Sequence, residues 1–311
     1  MRSSSVTSVF IALCLGLSSL VLLNPPTSAS ELDSELEENA GTARMRGEAA
    51  TGSNRFVLTP HKRNYFLFTY SDRGSDEAFQ DLVGDDNAEL DDAETQFQVS
   101  IKVALDRNMW VENDALQFGF TLKSFWQTYN DEYSSPFRET NYQPEIWYRR
   151  PLPFNSFGSE TMLWGIGAEH ESNGRTQDLS RSWNRIYTTI TWLTDDVAVR
   201  FKPWYRIPED RKDDPTDSDG DDNPDIHRYM GYFELSAIYR DEEHEYGLLF
   251  RNNVGSGATN TRSAIQLDYT FPLWKRLRGY VQFFNGYGES LIDYNNNVTT
   301  IGAGFLLSDI I

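Results

Sequence analysis

Apolar residues recur at every second position over long stretches of this chain. In residues 96–105 one side is apolar and the other polar, the apolar side being formed by Phe97, Val99, Ile101, Val103 and Leu105. Successive side chains of a β-strand point to opposite faces, so a period of two indicates a strand with one apolar face. The chain is therefore expected to fold mainly into such strands.

Twelve segments are predicted as strands: residues 64–70, 96–105, 115–129, 141–150, 161–172, 184–193, 197–206, 228–239, 243–251, 262–270, 279–286 and 298–308. Short connections at 194–196 and 241–242 contrast with long polar ones, such as 71–92 and 207–227. Outer-membrane barrels combine an even strand number with short periplasmic turns and longer outer loops. The sequence thus predicts an all-β fold, a twelve-stranded antiparallel transmembrane β-barrel spanning residues 64–311.

The composition is compatible with such a barrel and excludes a helical membrane protein. The mean hydropathy is −0.56, and after residue 30 no segment approaches the roughly 18 consecutive apolar residues of a spanning helix. A soluble all-β sandwich or lipocalin-like barrel would also alternate, with its apolar face turned inward. Trp and Tyr near the strand ends favour the membrane barrel over that alternative.

The first part of the chain is predicted to direct export. Residues 1–30 are predicted as a signal peptide, because Arg2 precedes an apolar run at 9–23 and small residues follow. Residues 31–63 are predicted as an acidic periplasmic N-terminal extension. The single cysteine, Cys14, lies in the signal, which excludes disulfides and thiolate sites from the mature chain. The net charge of −19 argues against nucleic acid as a partner.

Residues 170–184 carry the strongest candidate for chemistry. His170 and Ser172 lie two apart on the apolar face of one predicted strand, and Asn184 lies on the apolar face of the next. Facing side chains of an antiparallel pair are about 5 Å apart, so an imidazole base, a serine nucleophile and an orienting carboxamide could meet. Polar residues are costly on a membrane-facing wall, which favours a hydrolytic site. Alternatively, Ser172 and Asn184 lie at headgroup level, where polar groups cost little.

Several blocks of this sequence resemble the bacterial outer-membrane phospholipase A family. The blocks nearest the candidate site are His-Glu-Ser-Asn-Gly-Arg at 170–175 and Ser-Arg-Ser-Trp-Asn-Arg at 180–185. Further likeness lies at residues 134–142, 202–205, 222–226, 229–232 and 286–295. The resemblance runs from about residue 64 to the C-terminus.

The resemblance implies a function and roles for the three candidate residues. It implies a calcium-dependent homodimer in the outer membrane that hydrolyses acyl esters of phospholipids, of A1, A2 and lysophospholipase type, with its active site facing the outer leaflet. Ser172 would be the nucleophile, His170 the general base and Asn184 its orienting partner.

The same resemblance implies an oxyanion donor and a calcium site. The Gly174 amide would stabilise the oxyanion. Calcium would be held by the main-chain carbonyl of Arg175, the hydroxyl of Ser180 and, across the dimer, the main-chain carbonyl of Ser134; oxygen donors suit this cation. The chain departs from the family at Leu122, where members can carry a glutamine that helps pair the subunits.

Two further alternatives remain open from the sequence. The acidic loop at 213–225 looks like a calcium-binding loop from Asp217 onward, but its twelfth position is Arg228, so a solvated acidic loop is the favoured interpretation. The whole chain could instead be a catalytically silent porin-like or structural barrel, or a deacylase of lipopolysaccharide.

Overall fold

The computed structural model describes residues 58–72, 76–156, 158–159, 161–212, 214, 217, 220–255, 261–274 and 277–308. The predicted signal peptide and most of the predicted extension lie outside these residues, so both boundaries stay predictions. No described helix is long and apolar enough to cross a membrane.

Twelve antiparallel strands form one closed sheet. A two-residue strand, β1 (Thr59–Pro60), pairs with residues 101–102 of the barrel's second strand, beyond the part of it that pairs with the first. The barrel strands are β2 (Asn64–Asp72), β3 (Ala93–Arg107), β4 (Ala115–Trp126), β5 (Phe137–Pro151), β6 (Thr161–Ser172), β7 (Ser182–Leu193), β8 (Val197–Ile207), β9 (Phe233–Asp241), β10 (His244–Asn252), β11 (Ser263–Trp274), β12 (Leu277–Tyr287) and β13 (Asn297–Ser308). Each pairs with the next in sequence, and β13 pairs back with β2, with Phe305 opposite Phe66. Closure leaves no unpaired strand edge to face lipid, and the predicted barrel is confirmed.

The connections contain short helices that the alternation did not predict. They are α1 (Glu77–Val83), α2 (Ile226–Met230) and two single 3₁₀ turns, Asp131–Tyr133 and Gln177–Leu179. The predicted strand 228–239 is wrong at its start, because α2 occupies its first residues and β9 begins only at Phe233. Ile226 and Met230 of α2 are buried against aromatic side chains at one end of the lumen, and that packing stabilises a helix there.

Charges fill the lumen and apolar residues cover the outside. On β6 and β7 the outer wall carries Ile166 and Ile186, which are 43% and 47% exposed. The lumen side carries Glu169, which pairs with Arg185 at 3.0 Å and with Lys202 at 2.8 Å. A soluble sandwich would place its apolar face inside, so this arrangement contradicts that alternative.

The residues directly before β2 run through the lumen. We call His61, Lys62 and Arg63 the luminal tie. His61 Nε2 lies 2.6 Å from Oε1 of Glu145 on β5, and its ring stacks on Trp147 of the same strand with centroids 4.7 Å apart. The tie is thereby fixed to one side of the barrel.

Arg63 fixes the other end of the luminal tie. Its guanidinium contacts Oε1 of Glu245 on β10 at 2.5 Å and Oδ2 of Asp268 on β11 at 2.7 Å. In the closed strand order β5 and β11 lie on opposite sides of the barrel. The luminal tie therefore links two facing walls, by the His61 contacts on one side and by the buried ion pairs of Arg63 on the other.

Replacing Arg63 by Met should destabilise the barrel, because Asp268 would stay buried without a cation and Glu245 would keep only Arg240, at 3.2 Å. Breaking one side of a buried pair typically costs about 3–5 kcal/mol, and we expect a fall of that size in the free energy of unfolding. Denaturant unfolding in detergent micelles, followed by tryptophan fluorescence, measures it. The triple variant Arg63→Met, Glu245→Gln, Asp268→Asn should recover most of the loss. An unchanged midpoint in Arg63→Met would show that the tie contributes nothing to stability.

Candidate active site

His170 and Asn184 lie opposite each other where β6 pairs with β7. His170 Nδ1 and Asn184 Oδ1 are 2.9 Å apart. A carboxamide oxygen can only accept a hydrogen bond, so Nδ1 must carry the proton and Nε2 is left with a free lone pair. Nε2 is therefore the basic nitrogen of His170.

Ser172 lies two residues after His170 and points to the same side of β6. It is half-buried, with Ser182 opposite it on β7 and Tyr142 opposite it on β5. Both side chains belong to the described part of the chain, and no hydrogen bond joins the Ser172 hydroxyl to His170 in this structure. Catalytic hydrogen bonds are often long before substrate binds. The structure brings His170 and Asn184 into contact and puts Ser172 beside them.

All three residues lie on the outer wall of the barrel. His170 and Ser172 have the parity of exposed Ile166, and Asn184 has the parity of exposed Ile186. The intervening residues face the lumen. The strand geometry therefore groups the three polar side chains within an apolar stripe, as expected.

A nine-residue connection joins Ser172 to β7, and we call residues 173–181 the site loop. It includes Gly174, which is exposed and has φ +66°, in the left-handed region that favours glycine. A Cβ at this position would come within 3.3 Å of the Tyr142 ring. The conformation and the close approach both explain glycine two residues after Ser172.

Asn173 closes the site loop on itself. Its Nδ2 donates to the Leu179 carbonyl at 2.8 Å, and its Oδ1 accepts from the amides of Arg181 at 3.0 Å and Arg175 at 3.3 Å. Its own amide donates to the Arg181 carbonyl at 3.0 Å. Asn173 was not among the site residues predicted from the sequence, although asparagine side chains commonly bond nearby backbone groups in a turn.

Glu139 on β5 supports the same loop from below. Its carboxylate is fully buried, and its Oε2 accepts from Arg175 Nε at 3.3 Å and from Asn173 Nδ2 at 3.4 Å. The Arg175 guanidinium also donates to the carbonyls of Phe137 and Arg138. Arg175 is thereby held at both its side chain and its amide, which fixes the position of its own carbonyl.

The candidate calcium ligands lie on two connections. Arg175 and Ser180 belong to the site loop, whereas Ser134 is exposed between β4 and β5 with φ 62°. The Ser180 hydroxyl donates to Asp222 Oδ2 at 2.8 Å, which leaves its oxygen lone pairs for a cation. Lys212 balances Asp222 at 2.6 Å. Carbonyl and hydroxyl oxygens of this kind suit calcium.

The described residues contain no carboxylate cluster of the usual metal-binding size. Within the ranges given above, no group of three or more His, Cys, Asp or Glu side chains could hold a metal ion. In the acidic loop 213–225, several positions including Asp219 lie outside the described residues. Asp221 is paired with Arg206 at 2.5 Å, and Asp225 accepts from Tyr294 at 2.6 Å.

Most of the sequence matches a known family. Residues 42–307 match the profile of the phospholipase A1 family. This chain belongs to that family. As a phospholipase A1 family member it is a carboxylic ester hydrolase, and the resemblance stated from the sequence is confirmed.

Relatives of the phospholipase A1 family cover most of the chain. Phospholipase A1 of Klebsiella pneumoniae is 36% identical over 257 residues, which is 83% of this chain and 84% of that protein. The Escherichia coli outer membrane phospholipase A structure is 34% identical, covers 89% of this chain and 96% of its own, and superimposes with a TM-score of 0.72. The Salmonella typhi outer membrane phospholipase, a dimer with bound calcium, gives 0.72 at 36% identity, covering 83% and 94%. The phospholipase A1 family member described here is accordingly an outer-membrane barrel.

Replacing Asn173 by Ala should loosen the site loop without unfolding the barrel. Displacement of catalytic groups by about 1 Å can cost about 100-fold in rate, and we expect phospholipid hydrolysis to fall by at least about tenfold. Hydrogen exchange of residues 173–181 should rise in parallel. Thr176→Ala, at an exposed position of the same loop, serves as the control. Wild-type rates in Asn173→Ala would remove this residue from the support of the site.

Proposed function

We propose that this protein is a calcium-dependent outer-membrane phospholipase that cleaves acyl esters of phospholipids and lysophospholipids, of A1 and A2 type, by a Ser-His-Asn mechanism. The observation that carries the proposal is the 2.9 Å contact between His170 Nδ1 and Asn184 Oδ1. It selects the tautomer in which Nε2 can act as a base, two residues from a serine on the same wall.

The first half of the reaction transfers the acyl chain to the serine. His170 Nε2 takes the proton from Ser172 Oγ as this oxygen attacks the ester carbonyl. Asn184 Oδ1 keeps the ring oriented and stabilises the imidazolium that forms. The imidazolium then returns its proton to the leaving alkoxide, and a lysophospholipid departs. Water, deprotonated by the same nitrogen, then attacks the acyl-serine; the bond to Ser172 Oγ breaks, this oxygen takes the proton from His170, and a fatty acid is released.

Negative charge on the former carbonyl oxygen needs stabilisation during both halves. The Gly174 amide, exposed beside Ser172, is the proposed oxyanion donor. The Arg175 carbonyl, the Ser180 hydroxyl and the Ser134 carbonyl of a second copy are the proposed calcium ligands. Calcium held there would supply positive charge that stabilises the oxyanion.

A homodimer is part of the proposal because Ser134 lies on a different, exposed connection from Arg175 and Ser180. The dimeric, calcium-bound Salmonella typhi relative supports this arrangement. Leu122 stands where family members can carry a glutamine. It is half-buried on the outer wall between Val99 and Tyr142, which are both exposed. Contact between copies there would rest on apolar packing rather than on hydrogen bonds.

The site is proposed to face the outer leaflet. It lies at the end of the barrel that carries the long connections, including the site loop and the segment between β8 and β9. The opposite end has tight turns at 194–196 and 242–243. Long loops mark the outer side of such barrels. A lipid could then approach sideways along the apolar wall with its chains in hydrocarbon.

Ser172→Ala should abolish fatty acid release while the barrel still folds. Removal of a catalytic serine leaves only the rate supplied by binding and oxyanion stabilisation, so we expect a loss of at least about 1,000-fold. Release from phosphatidylethanolamine in mixed micelles is the measurement, with heat-modifiable gel mobility as the folding check. Ser236→Ala on β9 should keep full activity. Retained turnover in Ser172→Ala would remove this serine from the mechanism.

Calcium removal should stop the reaction reversibly. Chelation followed by readdition of calcium is expected to abolish and then restore hydrolysis. In Ser180→Ala, which lacks one proposed ligand, half-maximal activity should require about tenfold more calcium or higher. Full activity of the wild-type protein in excess chelator would discard the metal assignment.

A further inference from the structure

Glu209 lies just beyond the end of β8, next to the proposed catalytic residues. Ile207 is opposite Asn184 in the pairing of β7 with β8. Residues two apart share a face of the sheet, so Glu209 is the diagonal neighbour of Asn184 on the outer wall, within reach of a long side chain. Its Oε1 accepts a hydrogen bond from Asn184 Nδ2 at 2.8 Å.

Glu209, Asn184 and His170 therefore form one hydrogen-bonded row across three neighbouring strands or their ends. The row runs from the carboxylate through the carboxamide to the imidazole, with contacts of 2.8 and 2.9 Å. Glu209 is half-buried. Nearby cations are engaged elsewhere, since Arg206 pairs with Asp221 and Lys212 with Asp222.

An asparagine needs such a partner more than an aspartate would. A carboxamide can turn by 180° about its last bond, and the turned form would point an N–H group at Nδ1 of the imidazole. An ionised carboxylate only accepts hydrogen bonds. With Glu209 beside it, Asn184 must direct its nitrogen to Glu209 and its oxygen to His170.

The charge of Glu209 adds a second effect. Hydrogen bonds in a chain polarise one another, so a carboxylate on the nitrogen side of the carboxamide increases the negative charge on its oxygen. That oxygen faces the ring that becomes positive during the reaction. Among the described residues, no cationic side chain lies within ion-pair distance of Glu209, so its charge acts unneutralised.

We propose that Glu209 is a positioning residue for catalysis: it fixes the orientation of the Asn184 carboxamide and supplies the negative charge that an aspartate supplies in a Ser-His-Asp site. The inference rests on the proposed function. Glu209 acts through Asn184 and touches neither the nucleophile nor the base.

The test separates orientation from charge by two substitutions. Glu209→Ala removes both, and we expect kcat for phosphatidylethanolamine hydrolysis to fall between about 10- and 100-fold with KM unchanged. Glu209→Gln can still accept from Asn184 Nδ2 but has no charge, so its kcat should lie between those of Glu209→Ala and the wild type. Asp210→Asn, at the adjacent exposed acidic residue, should keep the wild-type kcat.

A double-mutant cycle shows whether Glu209 acts through Asn184. In an Asn184→Ala background, Glu209→Ala should cause no further loss, because the group it orients is gone. An equal loss in both backgrounds, or a changed KM with an unchanged kcat, would overturn the positioning role.

The wild type and Ser172→Ala are measured in the same assay. If hydrolysis depends on Ser172 and Glu209→Ala keeps its kcat, the positioning role is wrong and the proposed function stands. If the wild type releases no fatty acid, the proposed function fails and this inference falls with it. Gel mobility confirms that each variant is folded.

Discussion

The register of β6 against β7 decides where the proposed chemistry of this protein can take place. It sets His170 opposite Asn184 and turns both to the outer wall. A slip by one residue would turn a strand's side chains to the other face, and the imidazole would then join the buried ion pairs of Glu169 and Arg185. Because the sheet is closed, a slip in one pair would have to be absorbed around the whole barrel. The closure of the twelve strands therefore preserves the geometry of the hydrogen bond between His170 and Asn184.

Closure also separates two electrostatic environments. Inside, buried charges compensate one another in pairs. Outside, the wall is apolar, and His170, Asn184 and Glu209 on it are joined in one hydrogen-bonded row. The proposed proton transfer on the outer wall would take place away from the luminal charges but next to the lipid surface where the ester lies.

Much of the fold could be predicted from the sequence because its signal is local. Alternation reports on neighbouring residues of one strand, and all twelve predicted strands are present. The prediction failed only at the start of 228–239, where burial of Ile226 and Met230 in a cluster that includes Leu291 and Tyr294 stabilises a helix. His170, Ser172 and Asn184 could be placed together because their strands follow each other directly in the sequence, joined by a single connection. The contacts of Glu209 and Glu139 could not be predicted. Glu139 lies on β5 and Glu209 just beyond the end of β8, and no local sequence pattern reveals how these segments are placed against β6 and β7.

The luminal tie has a consequence for how this protein is made. Arg63 and Asp268 are 205 positions apart in the chain, and contacts between such distant residues form slowly. During synthesis and export Arg63 appears early, and most of the remaining polypeptide must follow before Asp268 is available to pair with it. The interior can consequently be completed only after the tenth of the twelve barrel strands is in place. A chain interrupted before that point would leave the Arg63 guanidinium without Asp268 in an incomplete barrel. Periplasmic quality control would then act on that incomplete barrel.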